Sequence, residues 1–349
     1  MAGRFVDVIR CFEPEVLNAA MRGPRRNIAT PLRAGPFRVD VTTIELPRIT
    51  AQATSATPLV ALAAMRPDTA LLHLPMAGRD TLLINGSRVP AHGIALYGGG
   101  GEFSRANEQV SSSASISMPM ELAEQMLCPP GRLPWLGPGT HQLVDTSSRA
   151  WTRLARMLGM AAEIAANAPA ELQDPAAREG LQSSLLDAAR QVLADAHPGQ
   201  SRRGSRTRQS WLRLVQQVDA YLEASPGRPI YSEELCDRLG ASVTGLADAF
   251  RNVLGVTPHR YLKLRRLAMV RAALSAQEGA AGLVKSVALA HGFWHLGQFA
   301  QDYRRMYAET PAETLARAQG RRAATGRGER ASHLAGANVH PALAIPVLQ

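Results

Sequence analysis

The chain has 349 residues, 46% of them hydrophobic, a net charge of +10 and three cysteines, Cys11, Cys128 and Cys236. That length holds two domains with cores of their own, and an odd number of widely spaced cysteines excludes a disulfide framework. Arg4 and Asp7 interrupt any apolar leader, and no run reaches the roughly 18 apolar residues of a membrane span, so a soluble, cytoplasmic protein is expected.

In chain order, residues 1–34 are punctuated by Arg and Pro and read as an N-terminal extension with one short helix. A first folded domain is expected over 35–196. From Phe37 to about Met118 the pattern has period two, as in Phe37, Val39 and Val41, and again in Ala114, Ile116 and Met118 within a serine-rich run. Thr81–Val89 predicts a hairpin turning on Asn85-Gly86 as a type I′ turn. Ile94–Tyr97 predicts another strand, followed by Gly98–Gly101 as a hairpin loop. No Gly-Lys-Ser/Thr follows these glycines, so a phosphate loop is not indicated. Short antiparallel strands with regular turn signals predict a small barrel or sandwich.

Helical periodicity resumes at Glu121–Leu127 and at Trp151–Ala166, where Trp151, Leu154, Ala155, Leu158, Ala162 and Ala165 line one face. A third helix is expected over Ala176–Ala196, then a polar linker over 197–208. His73, His92 and His141 are too scattered, and too poor in carboxylate company, to assign a metal site. No cofactor site and no catalytic set are assigned.

Residues 209–318 differ in both charge and pattern. Residues 1–200 hold 18 basic and 18 acidic residues, whereas 201–320 hold 17 and 10. Two helix-turn-helix patterns lie in this basic stretch, Tyr231–Phe250 and Leu283–Tyr303. Leu246, Phe250, Pro258 and Leu262 each precede Phe299, Tyr303, Pro311 and Leu315 by 53 residues, while Gly240 precedes Gly292 by 52. Both units end on Thr-Pro, at Thr257-Pro258 and Thr310-Pro311, a pair suited to open a following helix. Beyond the second unit, 319–349 reads as a disordered basic tail.

The stretch from about Ser210 to Arg317 resembles the DNA-binding domain of the AraC/XylS family of bacterial transcription regulators. The likeness runs through Leu-Gly-Val-Thr-Pro-His-Arg-Tyr-Leu-Lys-Leu-Arg-Arg-Leu (254–267) and His-Gly-Phe-Trp-His-Leu-Gly-Gln-Phe-Ala-Gln-Asp-Tyr-Arg (291–304). It covers roughly 110 residues and implies an α+β chain. An N-terminal antiparallel, cupin-like β-barrel with flanking helices would serve sensing or dimerisation, and a C-terminal all-α tandem helix-turn-helix would bind double-stranded DNA.

Val243 to about Val253 is the first expected recognition helix, after a turn at Ala241-Ser242. Its outward face carries Thr244, Ala247, Asp248 and Arg251, and the resemblance places the family's contact positions on Thr244, Ala247 and Asp248. Many relatives carry Arg or Gln where Asp248 stands; aspartate accepts from cytosine but repels phosphate. Ser242 joins these as a contact candidate. In the second unit Trp294–Met306 is the recognition helix, with Leu296, Gly297, Ala300 and Gln301 at the groove-facing positions the resemblance supplies. Gln301 suits adenine; His295 and Gln298 suit phosphate, and Arg304 completes the candidates.

The helix from Pro258 to about Leu274 joins the units and spans roughly 25 Å, enough to serve segments about one turn, ~34 Å, apart. Its Arg260, Lys263, Arg265, Arg266 and Arg271 are phosphate candidates, a type of contact that sets affinity more than sequence choice. The expected function is a sequence-specific transcription regulator, an activator answering a small-molecule effector. Contact with RNA polymerase and a homodimer are implied by the resemblance. Two alternatives stay open: an effector-independent regulator whose N-terminal domain serves only dimerisation or protein contact, and an enzymatic barrel, against which the lack of a paired-carboxylate, metal or nucleophile motif argues.

Overall fold

The computed structural model describes residues 5–127, 139–198, 205–225, 230, 232–276 and 283–320. The chain is α+β, sheet-rich in its N-terminal part and helical in its C-terminal part. Its strands are β1 (Val6–Cys11), β2 (Pro24–Pro31), β3 (Val39–Glu45), β4 (Thr50–Ala56), β5 (Leu59–Met65), β6 (Thr69–Ala77) and β7 (Leu83–Ile84). Then follow β8 (Ser87–Arg88), β9 (Gly93–Tyr97), β10 (Glu102–Asn107), β11 (Ser111–Pro119), β12 (His141–Asp145) and β13 (His197–Pro198). Four helices accompany them: α1 (Leu17–Ala20), α2 (Met120–Leu127), α3 (Ser148–Asn167) and α4 (Pro175–Ala194). The C-terminal part holds α5 (Ser205–Ala224), α6 (Ser232–Leu239), α7 (Val243–Leu254), α8 (Pro258–Ala276), α9 (Leu283–Ala290) and α10 (Leu296–Tyr307). A last helix, α11, occupies residues 311–320.

The strands form a large sheet, β1-β3-β4-β11-β6-β9-β12-β13, and a small one, β2-β5-β10-β7-β8. The expected barrel is corrected here: among the described residues no strand pairing joins the two sheets, which face each other as open layers. The short links explain this. β4 to β5, β5 to β6, β9 to β10 and β10 to β11 each pass from one sheet to the other. Gly98–Gly101 is therefore a crossing between sheets and not a hairpin loop. At Gly99 the chain runs so close to Pro67 that a Cβ would lie 1.9 Å from its carbonyl oxygen, a spacing only glycine tolerates.

The Asn85-Gly86 turn forms as expected, with φ of 48° and 71° at its two positions and β7 pairing with β8. Residues 1–34 are more than an extension. They hold the short helix but also β1, paired with β3 from Val6–Ile44 to Cys11–Val39, and β2, paired with β5. The expected linker begins as β13 on β12 and ends inside α5; its residues 199–204 lie outside the described residues, as do 321–349 of the tail.

Period-two alternation sorts the side chains into layers. On the large sheet Leu72, Leu74, Ile94, Leu96 and Ile116 point outward and pack under α3 and α4, against Leu154, Leu158, Leu185 and Val192. Each such side chain contributes roughly 1.5–3 kcal/mol of burial. On β5 every residue is buried because both faces are covered. Leu59, Ala61, Ala63 and Met65 face the large sheet, while Val60 and Leu62 pack, with Ala106, against Phe250, Val253 and Leu254 of α7. The C-terminal helices thus cover the outer face of the small sheet.

Candidate nucleic-acid interface

Each helix-turn-helix unit is built by local signals. Ser242 precedes α7 in extended conformation and its Oγ accepts from Gly245 N at 3.0 Å, satisfying an orphan donor of the first turn. Gly255 closes α7 in the left-handed region at φ 73°. Gly240 and Gly292 turn the two units at φ 62° and 78°. Leu246, Ala249, Phe250 and Val253 form the inner face of α7, and Phe299, Tyr303, Met306 and Tyr307 that of α10, so the 53-residue repeat is a repeat of cores.

The Thr-Pro pairs start helices as expected. Thr257 Oγ1 accepts from Arg260 N at 3.3 Å. Thr310 Oγ1 accepts from Glu313 N at 3.2 Å while the Glu313 carboxylate accepts from Thr310 N at 2.6 Å, a reciprocal capping box.

On α7 the structure places Ser242, Thr244 and Arg251 in solvent, with Ala247 and Asp248 half-buried. The Asp248 carbonyl accepts from Asn252 Nδ2 at 2.8 Å. On α10, His295, Gly297, Gln298, Ala300, Gln301 and Arg304 are exposed and Leu296 is half-buried. Two exposed hydrophobic side chains at these helix starts, Val243 and Trp294, each 59% exposed, escape a reading that looks only for hydrogen-bonding residues. Arg305 is exposed beside Arg304 as well.

The linker helix departs most from expectation. Arg265 is buried; its Nε donates to Asp219 Oδ1 at 2.8 Å and its Nη2 to Glu223 Oε1 at 2.5 Å, both on α5. Burial alone would lower its pKa, but Asp219, Tyr261 and Glu223 together raise it. Asp219 also accepts from Tyr261 Oη at 2.7 Å. Arg271 is buried over the Tyr307 ring and pairs with Glu309 at 2.9 Å. These two arginines are internal and face no phosphate, because a buried charge stays only where it is paired. Lys263 bridges to Asp302 of α10 at 2.7 Å, and Arg260 Nη2 donates to Leu32 O at 2.8 Å. Arg266 is half-buried on the same helix.

The first turns of α7 and α10 carry exposed side chains at Val243, Thr244, Gly297 and Gln298. It is the C-terminal part of α7 that meets the small sheet, where Asn252 and Val253 approach Gly86. Further ties join Arg26 to Glu223, Glu13 to Arg317 at 3.5 Å and Gly35 N to Met306 O at 3.1 Å.

Residues 235–317 match the family described as Helix-turn-helix domain. The "XylDLEGF operon transcriptional activator" of Pseudomonas putida is 34% identical over 106 residues, 30% of this chain and 32% of its own length. The "Probable thc operon regulatory protein" of Rhodococcus erythropolis is 36% identical over 102 residues, 29% and 31%. The alignments thus span about a third of the length of these curated relatives. Among solved structures, a "probable AraC family transcriptional regulator" of Rhodopseudomonas palustris is 39% identical, with 31% of this chain and 98% of that one covered and a TM-score of 0.27. Between Leu235 and Arg317 the chain thus carries a helix-turn-helix domain of the AraC/XylS family.

Proposed function

We propose that the chain is a small-molecule-responsive activator that sets α7 and α10 into two adjacent major-groove segments of double-stranded DNA. The observation that carries this is the repeat of outward faces over one repeated core, exposed Thr244 with half-buried Ala247 and Asp248 on α7 against exposed Gly297, Ala300 and Gln301 on α10. Ser242, Arg251, Arg260, Lys263, Arg266, His295, Leu296, Gln298 and Arg304 are the accompanying contacts. Among them Lys263 and Arg260 have protein partners in this structure, so their contribution to phosphate binding requires those partners to be shared or exchanged.

The names of the curated relatives support activation over repression, and contact with RNA polymerase follows from that role. Among the described residues no helix is long and apolar enough to cross a membrane, in keeping with a cytoplasmic site of action on DNA. The sheets, acting as a cupin-like sensor, would transmit effector binding through the contact between β10 and α7, since a ligand shifts an equilibrium only through differential affinity. Homodimerisation is assigned to the outer surfaces of α3 and α4. An effector-independent alternative, with the N-terminal part serving only dimerisation or protein contact, accounts for the covered sheet but not for the polar space between the sheets.

The test is selection of a randomised duplex library by the full chain at moderate salt. Two enriched blocks about one helical turn apart, ~10 bp, support the tandem grip. A single block, or no enrichment, overturns it.

A further inference from the structure

The turn of the second unit is one residue longer than that of the first, and the backbone shows which residue is the extra one. Ala241 N donates to Cys236 O and Phe293 N to Ala288 O, both at 3.0 Å, so Ala241 and Phe293 are equivalents, 52 positions apart. The residues that open the recognition helices, Ser242 and His295, are 53 apart. Trp294 therefore has no counterpart in the first unit. Phe293 takes the inward place, its ring centroid 4.9 Å from that of Phe299, and Trp294 is turned out to 59% exposure.

Nothing in the fold calls for an indole at that place. Trp294 belongs to none of the chain's apolar clusters, and among the described residues it has no ring, cation or hydrogen-bond partner. Trp151 and Trp211, by contrast, are half-buried and pack against apolar clusters. An indole left in water forgoes roughly 150–250 Å² of contact surface. The charge around it has one sign. From Lys285 to Arg305 the only acidic residue is Asp302, which is buried and paired with Lys263, while Lys285, His295, Arg304 and Arg305 are exposed. Such a surface is complementary to a polyanion.

We infer that Trp294 is a specificity-determining residue that reads the 5-methyl group of a thymine in the DNA major groove. In a stacked duplex only base edges are within reach, and the thymine methyl is the one apolar group that the major groove displays. The N-terminal end of a recognition helix is the end that meets base edges, and Trp294 stands immediately before the residue that opens α10. An indole carries no charge and a single N–H, so its large apolar body matches a methyl group better than a phosphate. Because the first unit lacks this residue, the thymine it reads lies in the block under α10. The inference rests on the groove-entering function proposed above and names a base feature that this function selects.

The probe is the duplex selected by the full chain, with each thymine replaced in turn by deoxyuridine, which removes only the methyl. Anisotropy titrations of the full chain should find one position in one block where the replacement weakens binding roughly fourfold, the ~0.8 kcal/mol of one buried methyl-sized group. Trp294→Ala should weaken the thymine duplex about fourfold or more and bind the thymine and deoxyuridine duplexes equally at that position. Trp294→Phe should keep a preference for thymine. Since the side chain is exposed, the urea midpoint of Trp294→Ala should match the parent's; a merely structural tryptophan would lower it. Thymine-to-deoxyuridine ratios that are the same in parent and Trp294→Ala at every position overturn the inference. So does an equal loss by Trp294→Ala on selected and random duplexes, which would make the indole a backbone contact. A single enriched block that holds a Trp294-dependent thymine sinks the tandem grip and keeps this role for Trp294; two blocks without such a thymine do the reverse. With no enriched block both fall.

Discussion

Lys263 of the linker helix and Asp302 of the second recognition helix are joined at 2.7 Å, with the lysine half-exposed and the aspartate side chain only 9% exposed. The pair ties α8 to α10 across the second unit, so it sets where α10 stands relative to the helix that carries both units. Lys263→Met strands a buried carboxylate and should destabilise the chain by roughly 1–3 kcal/mol. Lys263→Met combined with Asp302→Leu should regain most of that loss in urea unfolding. The single variant should also lose more affinity for a two-block DNA site than for either block alone. Equal losses on both would mean that Lys263 serves as an ordinary phosphate contact and not as a spacer.

Ala308 occupies a position where the repeat has glycine in the first unit. It lies 53 residues after Gly255, and both close their recognition helices in the left-handed region, at φ 57° and 73°. An L-residue there carries a penalty of about 1–2 kcal/mol that glycine avoids. Ala308→Gly should therefore stabilise the chain by about 1 kcal/mol, and Gly255→Ala should destabilise it by at least about as much. Unfolding midpoints that move in the same direction for both would contradict this account of the caps.

Much of the C-terminal part is legible because its signals are local. Glycine at the turns, Thr-Pro at the starts of α8 and α11, and the 3.6-residue spacing of Leu246, Ala249, Phe250 and Val253 act within one or two turns of chain. The arginines of α8 were not legible in this way. Arg265 and Arg271 have the composition of a phosphate-binding face, and only folding brings Asp219, 46 residues away, and Glu309 to them. β1 and β2 were hidden for a similar reason, since their partners β3 and β5 lie far along the chain and prolines bound β2. The serine alternation of β11 was visible, but not which face would be inward. That was decided by α3 and α4, which claim Ala114, Ile116 and Met118 and turn the serines toward Arg105.

Glu309 gives the chain a defined acid limb. Burial raises its pKa, but bonds from Arg317 and Thr314 and the charges of Arg271 and Arg317 outweigh this and hold it below its ordinary 4.5. A depressed carboxylate contributes stability that is complete above the ordinary carboxylate range and is lost as pH falls through the lower folded value. Glu309→Gln should cost roughly 1.5–3 kcal/mol at pH 7, the scale of bonds to a charged group. The gap to the parent should narrow below about pH 4.5. Denaturant midpoints measured from pH 7 to pH 3 decide this; a constant gap would mean that the acid limb belongs to other carboxylates.

Gly297 stands in the first turn of α10 with an ordinary negative φ, and a Cβ built there meets nothing within 4 Å. Neither backbone strain nor packing within the chain calls for glycine at this position. In a helix, alanine is favoured over glycine by up to about 1 kcal/mol, so Gly297→Ala should leave the chain as stable or slightly more so. If α10 enters the major groove as proposed, the missing side chain lets the helix backbone come close to the DNA, and the added methyl should weaken specific binding by about tenfold, a fraction of a contact's worth. Gln301→Ala, one turn further along the same face, should instead relax base preference at one position, and Arg304→Ala should weaken all sequences alike and lower the salt slope by about one. Fluorescence anisotropy of the full chain on the selected site, its single-base variants and random duplex, each over a range of salt, separates the three. Gly297→Ala binding with parental affinity would remove α10 from close contact with the groove, and the interface would then rest on α7 alone.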